Sequence, residues 1–254
     1  MAEAHNPLDG TTISYDVTGE GPAVVLLHGS ALSRAIWRGL GYVKALEGFT
    51  VVRIDLRGHG RSGKPHDPHA YAMDLLVADV LAVLDAEKLA SAAVVGYSFG
   101  SRVGFSLAAR APGRVEKLVT LGGTYRPQAG EVAKVFFDGY LDALRTGGMQ
   151  AFVDGQTLDP QTKAAFMANE SEALVAYFER TEIEPGLDES VLPDLDLPVL
   201  LMAGTRDTER YLDSRRAAEL LPDARFVPLQ GRTHGSTLFP ADEVLAGMLP
   251  FLRG

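Results

Sequence analysis

The chain has 254 residues, 46% of them hydrophobic, and no cysteine. This length can bury a large core in one compact unit, with room for an insertion but not for two full domains. The absence of cysteine excludes a thiol nucleophile, disulfides and cysteine-ligated zinc. The formal net charge of −9 makes nucleic acid and anionic membranes poor partners.

The apolar runs and the first ten residues indicate whether the protein is membrane-bound or secreted. No apolar run approaches the ~20 residues that a membrane-spanning helix needs. The opening MAEAHNPLDG lacks the basic and apolar regions of a signal peptide. We therefore expect a soluble, cytoplasmic protein whose partner is a small molecule; the sequence does not indicate its oligomeric state.

Short apolar runs alternate with helical patterns along most of the chain. After one clear N-terminal strand, TTISYDV, the runs are AVVLLHG (23–29), FTVVRIDLRG (49–58), SAAVVGYS (91–98), VEKLVTLGG (115–123), LPVLLMAGT (197–205) and ARFVPLQG (224–231). Helices are predicted over residues 33–47, 71–89, 99–110, 209–221 and 241–252. Strands that are apolar throughout are typical of a parallel sheet, and the alternation predicts a doubly wound α/β fold. Pro228 in the last run predicts an edge strand, because a central strand needs that amide.

The alternation stops between residues 125 and 192, where the pattern is helical throughout. We interpret this segment as an inserted helical cap, and residues 1–124 and 193–254 as the core domain. The segment holds twelve acidic and five basic side chains. This excess disfavours a strongly anionic substrate, although an outward-facing charged surface would account for it equally well.

The sequence GYSFG (96–100) places Ser98 where an apolar strand ends and a helix begins. A serine on such a tight turn needs small neighbours two residues before and after it, and Gly96 and Gly100 meet that need. The amides at the start of the following helix favour negative charge near the serine oxygen. Ser98 is therefore the candidate nucleophile; the alternative is a structural turn.

A serine hydroxyl needs a base to take its proton and an acid to orient that base. Asp207 follows the strand LPVLLMAGT, and His234 lies in the loop after the last strand. Taken singly, each residue has an ordinary explanation as a turn aspartate or a surface-loop histidine. Their order after Ser98 is the one expected when successive strand ends deliver a triad, so Asp207 and His234 are the candidate acid and base.

The mechanism also needs donors for the oxyanion. One is predicted to be the backbone amide of Phe99, directly after the candidate nucleophile, and the second the amide of Ser30 in the loop after AVVLL. His28 and Gly29 are interpreted as shaping that loop. We interpret His59, His66 and His69 as structural or exposed.

Five motifs together resemble the α/β-hydrolase superfamily: HGS (28–30), DLRGHGRS (55–62), GYSFG (96–100), GTRD (204–207) and the histidine of GRTHG (231–235). The resemblance spans about residues 10 to 252. It implies an α/β-hydrolase fold of about eight strands, a mostly parallel twisted sheet flanked by helices with a variable cap between the sixth and seventh strands. It implies no cofactor and no metal site. Relatives that are haloalkane dehalogenases or epoxide hydrolases use an aspartate nucleophile, and the serine at 98 argues against both.

These observations predict a serine hydrolase of small carboxylic esters or lactones that works through an acyl-enzyme. The same constellation also supports thioester hydrolysis, carbon–carbon bond hydrolysis, perhydrolysis and cyanohydrin cleavage. A ligand-binding receptor on a hydrolase scaffold is the alternative from another class. For the substrate pocket, the candidates are Trp37, Phe136, Phe137 and Tyr140, with further cap aromatics at 152, 166, 177 and 178; helical aromatics of this kind also serve as cap core.

Overall fold

A computed structural model of the chain describes all residues from 1 to 254. Eight strands form one sheet in the order β1-β2-β4-β3-β5-β6-β7-β8. Their bounds are β1 Ala2–His5, β2 Thr12–Thr18, β3 Ala23–Leu27, β4 Thr50–Ile54, β5 Ala92–Tyr97, β6 Val115–Leu121, β7 Val199–Gly204 and β8 Ala224–Leu229. From β4 to β8 along this order every pair is parallel, while β1 and β2 add an antiparallel edge. The predicted α/β fold is confirmed.

Ten helices connect or cover these strands. They are α1 Ala35–Gly39, α2 Tyr42–Ala45, α3 Met73–Ala86, α4 Phe99–Arg110, α5 Val132–Val135, α6 Tyr140–Asp154, α7 Pro160–Met167, α8 Ser171–Ile183, α9 Thr208–Leu220 and α10 Ala241–Arg253. The single helix predicted over residues 33–47 is two short helices, because Gly41 adopts φ +86°, which an α-helix cannot include. None of the ten helices is both long and apolar enough to cross a bilayer.

The N-terminal edge of the sheet differs from expectation. The sequence shows only one clear strand before β3, yet β1 forms within the polar opening residues and pairs with β2, with Ala4 opposite Ile13. Only Ala4 of its four residues is buried. So short an edge strand contributes almost nothing to an apolar pattern, and its signal in the sequence is correspondingly weak. At the other edge, Pro228 lies in β8, the last strand, as predicted.

Two apolar clusters cover the two faces of the sheet. Side chains alternate between them along each strand, so that Val25 and Leu27 of β3 enter one cluster while Val24 and Leu26 enter the other. The first cluster joins the sheet to α3 and α4, and the second joins it to α2 and α10. This packing on both faces explains why the central strands are apolar throughout.

The chain between β6 and β7 forms α5 to α8 and no strand. Its aromatic side chains pack on one another: the ring of Phe152 lies 5.1 Å from Phe136 and 5.7 Å from Phe166, between ring centroids. These side chains belong to the same apolar cluster as α3 and α4. The apolar side chains of the helical segment are therefore continuous with the part of the core that contains α3 and α4.

Candidate active site

Ser98 lies on the turn between β5 and α4 with φ 52° and ψ −115°. A residue other than glycine rarely adopts this conformation. The two flanking glycines make the turn possible, because a Cβ on Gly96 would lie 2.4 Å from the backbone of Gly100. A Cβ on Gly100 would lie 2.2 Å from the carbonyl oxygen of Leu27. The close approach of these backbones leaves no room for side chains and holds the Ser98 hydroxyl beyond the end of the strand.

The structure brings Ser98, His234 and Asp207 together from the ends of β5, β8 and β7. The Ser98 Oγ lies 2.9 Å from His234 Nε2, and His234 Nδ1 lies 2.7 Å from Asp207 Oδ2. An ionised carboxylate only accepts hydrogen bonds, so Nδ1 carries the proton and donates it to Asp207. Nε2 is then the acceptor that faces the serine hydroxyl. This arrangement can remove a proton from Ser98 and hold the resulting positive charge beside a carboxylate.

The imidazole of His234 is held from a second side by Tyr97. The two rings are stacked with centroids 5.7 Å apart, and the Tyr97 hydroxyl donates to the backbone carbonyl of His234 at 3.0 Å. The side chains of His234 and Asp207 are only 12% and 7% exposed. A ring fixed by a stacked neighbour, a backbone bond and a carboxylate has little freedom to rotate away from Ser98.

Two backbone amides lie beside the serine without an acceptor in the chain. The amide of Phe99 is the first of α4 and therefore has no intrahelical partner. The amide of Ser30, in the loop after β3, donates to no backbone or side-chain group. Ser30, Ser98 and Phe99 line the same cavity. The two amides are thus available to a developing oxyanion.

The loop that carries Ser30 is fixed by two buried histidines. His28 Nε2 accepts from the amide of Leu56 at 3.0 Å, and His59 Nε2 accepts from the amide of Ala31 at 3.1 Å. Burial lowers the pKa of His59 to about 3 and also lowers the pKa of His28. Both rings are therefore neutral and act as acceptors that hold the loop.

The helical segment reaches the same loop from the other side. The hydroxyls of Tyr177 and Ser30 lie 2.5 Å apart, and Asn169 Nδ2 donates to the carbonyl of Ala31 at 2.7 Å. The ring of Tyr177 also packs edge-on against Phe99, with centroids 4.8 Å apart. Helix α8 therefore contacts both sequences that supply the free amides.

A cavity of about 1040 Å³ opens in front of Ser98 and His234. The core contributes its wall near Ile36, Leu40 and Leu238, and the helical segment contributes Phe136, Leu158 and Phe166. Most of this lining is apolar. The cavity is large enough for a small organic ester.

Of the four aromatic residues predicted for the pocket, only Phe136 lines the cavity. Trp37 is fully buried beneath the site and packs edge-on against Tyr42, on the opposite face of the sheet from α4. Tyr140 is also buried, because its hydroxyl donates to Glu182 and its ring packs on Phe178. Phe137 packs on Phe152. The pocket prediction is therefore wrong for Trp37, Phe137 and Tyr140, whose rings face neighbouring helices.

Two arginines of the cavity wall were missed by the sequence reasoning. Arg102 and Arg210 both line the cavity, and both are at least 95% buried. Arg102 follows Ser98 by four residues on a predicted helix, and Arg210 follows Asp207 by three. This spacing places each arginine on the same helical face as a candidate catalytic residue, which is the signal that could have found them.

One group of side chains has the composition of a metal site. His66, Glu170 and Glu172 lie together at the surface, and all three are exposed. The two ring nitrogens of the histidine each lie beside a carboxylate oxygen of one glutamate. None of the three lines the cavity that contains Ser98.

Comparison with known proteins agrees with this architecture. Residues 22–151 match the model of the family described as alpha/beta hydrolase fold. A Caulobacter segnis protein provisionally named carbamate hydrolase RutD is 31% identical over 262 residues, which cover 95% of this chain and 97% of that protein. A non-heme chloroperoxidase from Streptomyces lividans is 30% identical over 277 residues, covering 96% and 97%.

Among solved structures, the enol-lactonase from Burkholderia xenovorans LB400 superposes with a TM-score of 0.84 at 26% identity, covering 97% of this chain and 98% of its own. The relatives match over nearly their whole length, and the family model covers the part of the chain that contains β3 to β6 and Ser98. The chain therefore belongs to the alpha/beta hydrolase family.

Proposed function

We propose that this protein is a serine hydrolase that cleaves small carboxylic esters or lactones through an acyl-enzyme. The observation that carries the proposal is the continuous hydrogen-bond chain from Ser98 Oγ through His234 to Asp207, with distances of 2.9 and 2.7 Å. The chain ends at a hydroxyl that faces a large, mostly apolar cavity.

In the proposed reaction Ser98 Oγ attacks the carbonyl carbon while His234 Nε2 takes the hydroxyl proton. Asp207 keeps the imidazole in the required tautomer and stabilises its positive charge. The amides of Phe99 and Ser30 donate to the oxyanion of the tetrahedral intermediate. His234 then gives the proton to the leaving alkoxide. In the second half of the reaction, His234 takes a proton from water as the water attacks the acyl-enzyme, and it returns the proton to Ser98 Oγ when the acid is released.

The comparisons support the substrate class. Names of the relatives refer to a carbamate and to an enol lactone, and both compounds contain an acyl carbon bonded to oxygen. The free amides and the apolar cavity suit a neutral carbonyl group with hydrocarbon substituents. A carbamate is accordingly included among the test substrates.

We also propose that residues 125–192 act as a cap that shapes the cavity. In support, Phe136, Leu158, Phe166 and Tyr177 of this segment line the cavity. Asn169 and Tyr177 also hold the loop of Ser30. Selectivity for the substrate's apolar part would then depend on this segment, while the reacting groups come from the core.

The proposal is tested with p-nitrophenyl esters of increasing acyl length, a set of lactones, a thioester and a carbamate. We expect turnover of esters or lactones, and a loss of about 10⁴-fold or more in kcat for Ser98→Ala. Ser190→Ala is the matched control, because this serine is exposed and lies outside the cavity lining.

Undiminished turnover by Ser98→Ala would remove the serine from the mechanism. Turnover of the thioester alone would correct the substrate class and keep the triad. Labelling by a fluorophosphonate without turnover of any substrate would instead favour a ligand-binding receptor on this scaffold.

A further inference from the structure

The charged residues that line the cavity do not resemble those of the protein surface. The chain carries a net charge of −9. Apart from His234, however, the charged residues of the lining are Arg102, Arg210 and Asp159. Of the acidic residues in the segment 125–192, only Asp159 therefore lines the cavity.

Arg102 is a buried cation with unused hydrogen-bond donors. It lies on α4, it is 2% exposed, and its Nη2 donates to the carbonyls of Glu184 and Pro185 at 2.7 and 3.2 Å. Its Nε and Nη1 have no partner in the protein and are closed off from solvent, so a ligand in the cavity would reach them only after the guanidinium turns toward it. Burial is the main influence on this guanidinium and lowers the pKa of Arg102.

No carboxylate of the protein forms a salt bridge with Arg102, although the nearby Glu184 acts on its charge through space. The acidic group that acts on it, Glu184, accepts from Arg180 Nε and from the amide of Met73 instead. Arg110 and Arg180 add further positive charge from neighbouring positions. A buried charge without a counterion is costly, and proteins keep one chiefly where a ligand supplies the missing charge.

Arg210 is the second arginine of the cavity lining. Its Nη2 donates to Gln128 Oε1 at 2.7 Å, and its Nη1 lies 3.8 Å from Glu131 Oε2. Glu131 is outside the cavity lining and makes only that long contact with Arg210, while Asp213 also interacts with this charge through space.

Asp159 is the one acidic side chain of the lining, and it is hydrogen-bonded to the first residues of α7. Its Oδ1 accepts from the amides of Gln161 and Thr162 at the start of α7, and its Oδ2 accepts from the Thr162 hydroxyl. These bonds hold the pKa of Asp159 below its ordinary value. Both carboxylate oxygens of Asp159 are thus hydrogen-bonded within the protein, whereas Nε and Nη1 of Arg102 have no partner.

We propose that Arg102, supported by Arg210, forms a carboxylate-binding subsite, and that the preferred substrate is an ester or lactone that also carries a carboxylate group. This inference rests on the proposed hydrolase function. Guanidinium groups bind carboxylates by charge-assisted hydrogen bonds. Arg102 follows Ser98 by one turn of α4, a rise of about 6 Å. The carboxylate would therefore lie a few bonds from the carbonyl that Ser98 attacks.

The simpler explanation is that Arg102 only ties the end of α8 to α4 through its bonds to the Glu184 and Pro185 carbonyls. Those bonds use Nη2 alone. Those two hydrogen bonds do not explain why a charged guanidinium is buried, or why its Nε and Nη1 have no hydrogen-bond partner.

A kinetic experiment separates the two roles. The substrates are the p-nitrophenyl half esters of glutaric and adipic acid, each paired with its neutral methyl-capped diester. We expect the wild type to prefer the half ester of at least one pair. Arg102→Met should lower kcat/KM for that half ester about 10- to 100-fold, mainly through KM, because a charge-assisted hydrogen bond is lost. It should change kcat/KM for the neutral diester less than about 3-fold.

Two further variants serve as references. Arg102→Lys keeps the charge and should restore part of the half-ester preference. Arg114→Met removes an arginine that likewise bonds backbone carbonyls, those of Ala90 and Leu89, but lies outside the cavity; the preference should stay at its wild-type value. Equal losses on both esters in Arg102→Met, or no half-ester preference in the wild type, would overturn the subsite.

Binding of glutarate to the Ser98→Ala protein, measured by calorimetry with and without Arg102→Met, tests the subsite apart from turnover. Binding that needs Arg102 supports the subsite even if no ester is hydrolysed, in which case the hydrolase proposal alone fails. If neutral esters are hydrolysed but glutarate does not bind, the hydrolase proposal stands and the subsite is refuted. Inorganic phosphate is the second ligand, and tighter binding of phosphate than of glutarate would contradict the assignment to carboxylates.

Discussion

The buried ring of His59 should make the stability of this fold sensitive to mild acid. Its Nε2 accepts from the amide of Ala31 and its Nδ1 donates to the carbonyl of Arg57 at 2.9 Å. A protonated ring could not accept at Nε2, so the folded geometry requires the neutral form. Burial is the main cause that lowers the pKa of His59 from 6.5 to about 3.

Between these two pKa values the unfolded chain binds a proton at residue 59 and the folded chain does not. The stability that His59 contributes is therefore present above pH 6.5 and is lost as the pH falls toward 3. At pH 5, about 1.5 units below the unfolded pKa, the loss relative to pH 7 is about 2 kcal/mol at 1.36 kcal/mol per unit.

Urea denaturation of the wild type and of His59→Gln at pH 7 and pH 5 measures this contribution. Between pH 7 and pH 5 the free energy of unfolding should fall in both proteins, and the fall should be about 2 kcal/mol smaller in His59→Gln than in the wild type. Glutamine retains a donor and an acceptor, which limits the damage to the loop of Ser30. His69→Gln is the control, because that residue is exposed and its ring makes no hydrogen bond; its acid dependence should match the wild type. The same pH dependence in His59→Gln and wild type would refute the reasoning.

Three other substitutions test the geometry of the site. Asp207→Asn should lower kcat about 10⁴-fold with the fold unchanged by circular dichroism, since the amide favours the wrong imidazole tautomer; a loss under about 10-fold would contradict the role of Asp207. Tyr177→Phe removes the hydroxyl beside Ser30 and should lower kcat about 5-fold with little change in KM, the equivalent of one ordinary hydrogen bond; an unchanged kcat would show that the contact does not position the loop. Gly100→Ala should cost about 2 kcal/mol or more in urea denaturation. Gly113→Ala, where an added Cβ meets nothing within 4 Å, should cost less, and equal costs would contradict the packing argument.

The positions of the three candidate catalytic residues were predictable because they follow from the order of the strands along the chain. Ser98, Asp207 and His234 each follow an apolar run, and parallel strands bring their carboxyl ends to one edge of a sheet. The turn at Ser98 was equally visible, since the glycines that it requires stand at fixed positions in the sequence. Pro228 marked the edge strand by the amide that it lacks.

What only the tertiary structure decided is the direction that side chains face once helices pack on one another. Phe136 and Tyr140 lie four residues apart, yet one lines the cavity and the other is buried against Phe178. Trp37 likewise is buried against Tyr42 and does not line the cavity. The unpaired charge of Arg102 is invisible in a sequence, because it depends on Glu184, from a distant part of the chain, bonding to Arg180 instead. Periodicity specifies where an element runs and which residues share a face, but the neighbours of that face are set by contacts between residues far apart in the chain.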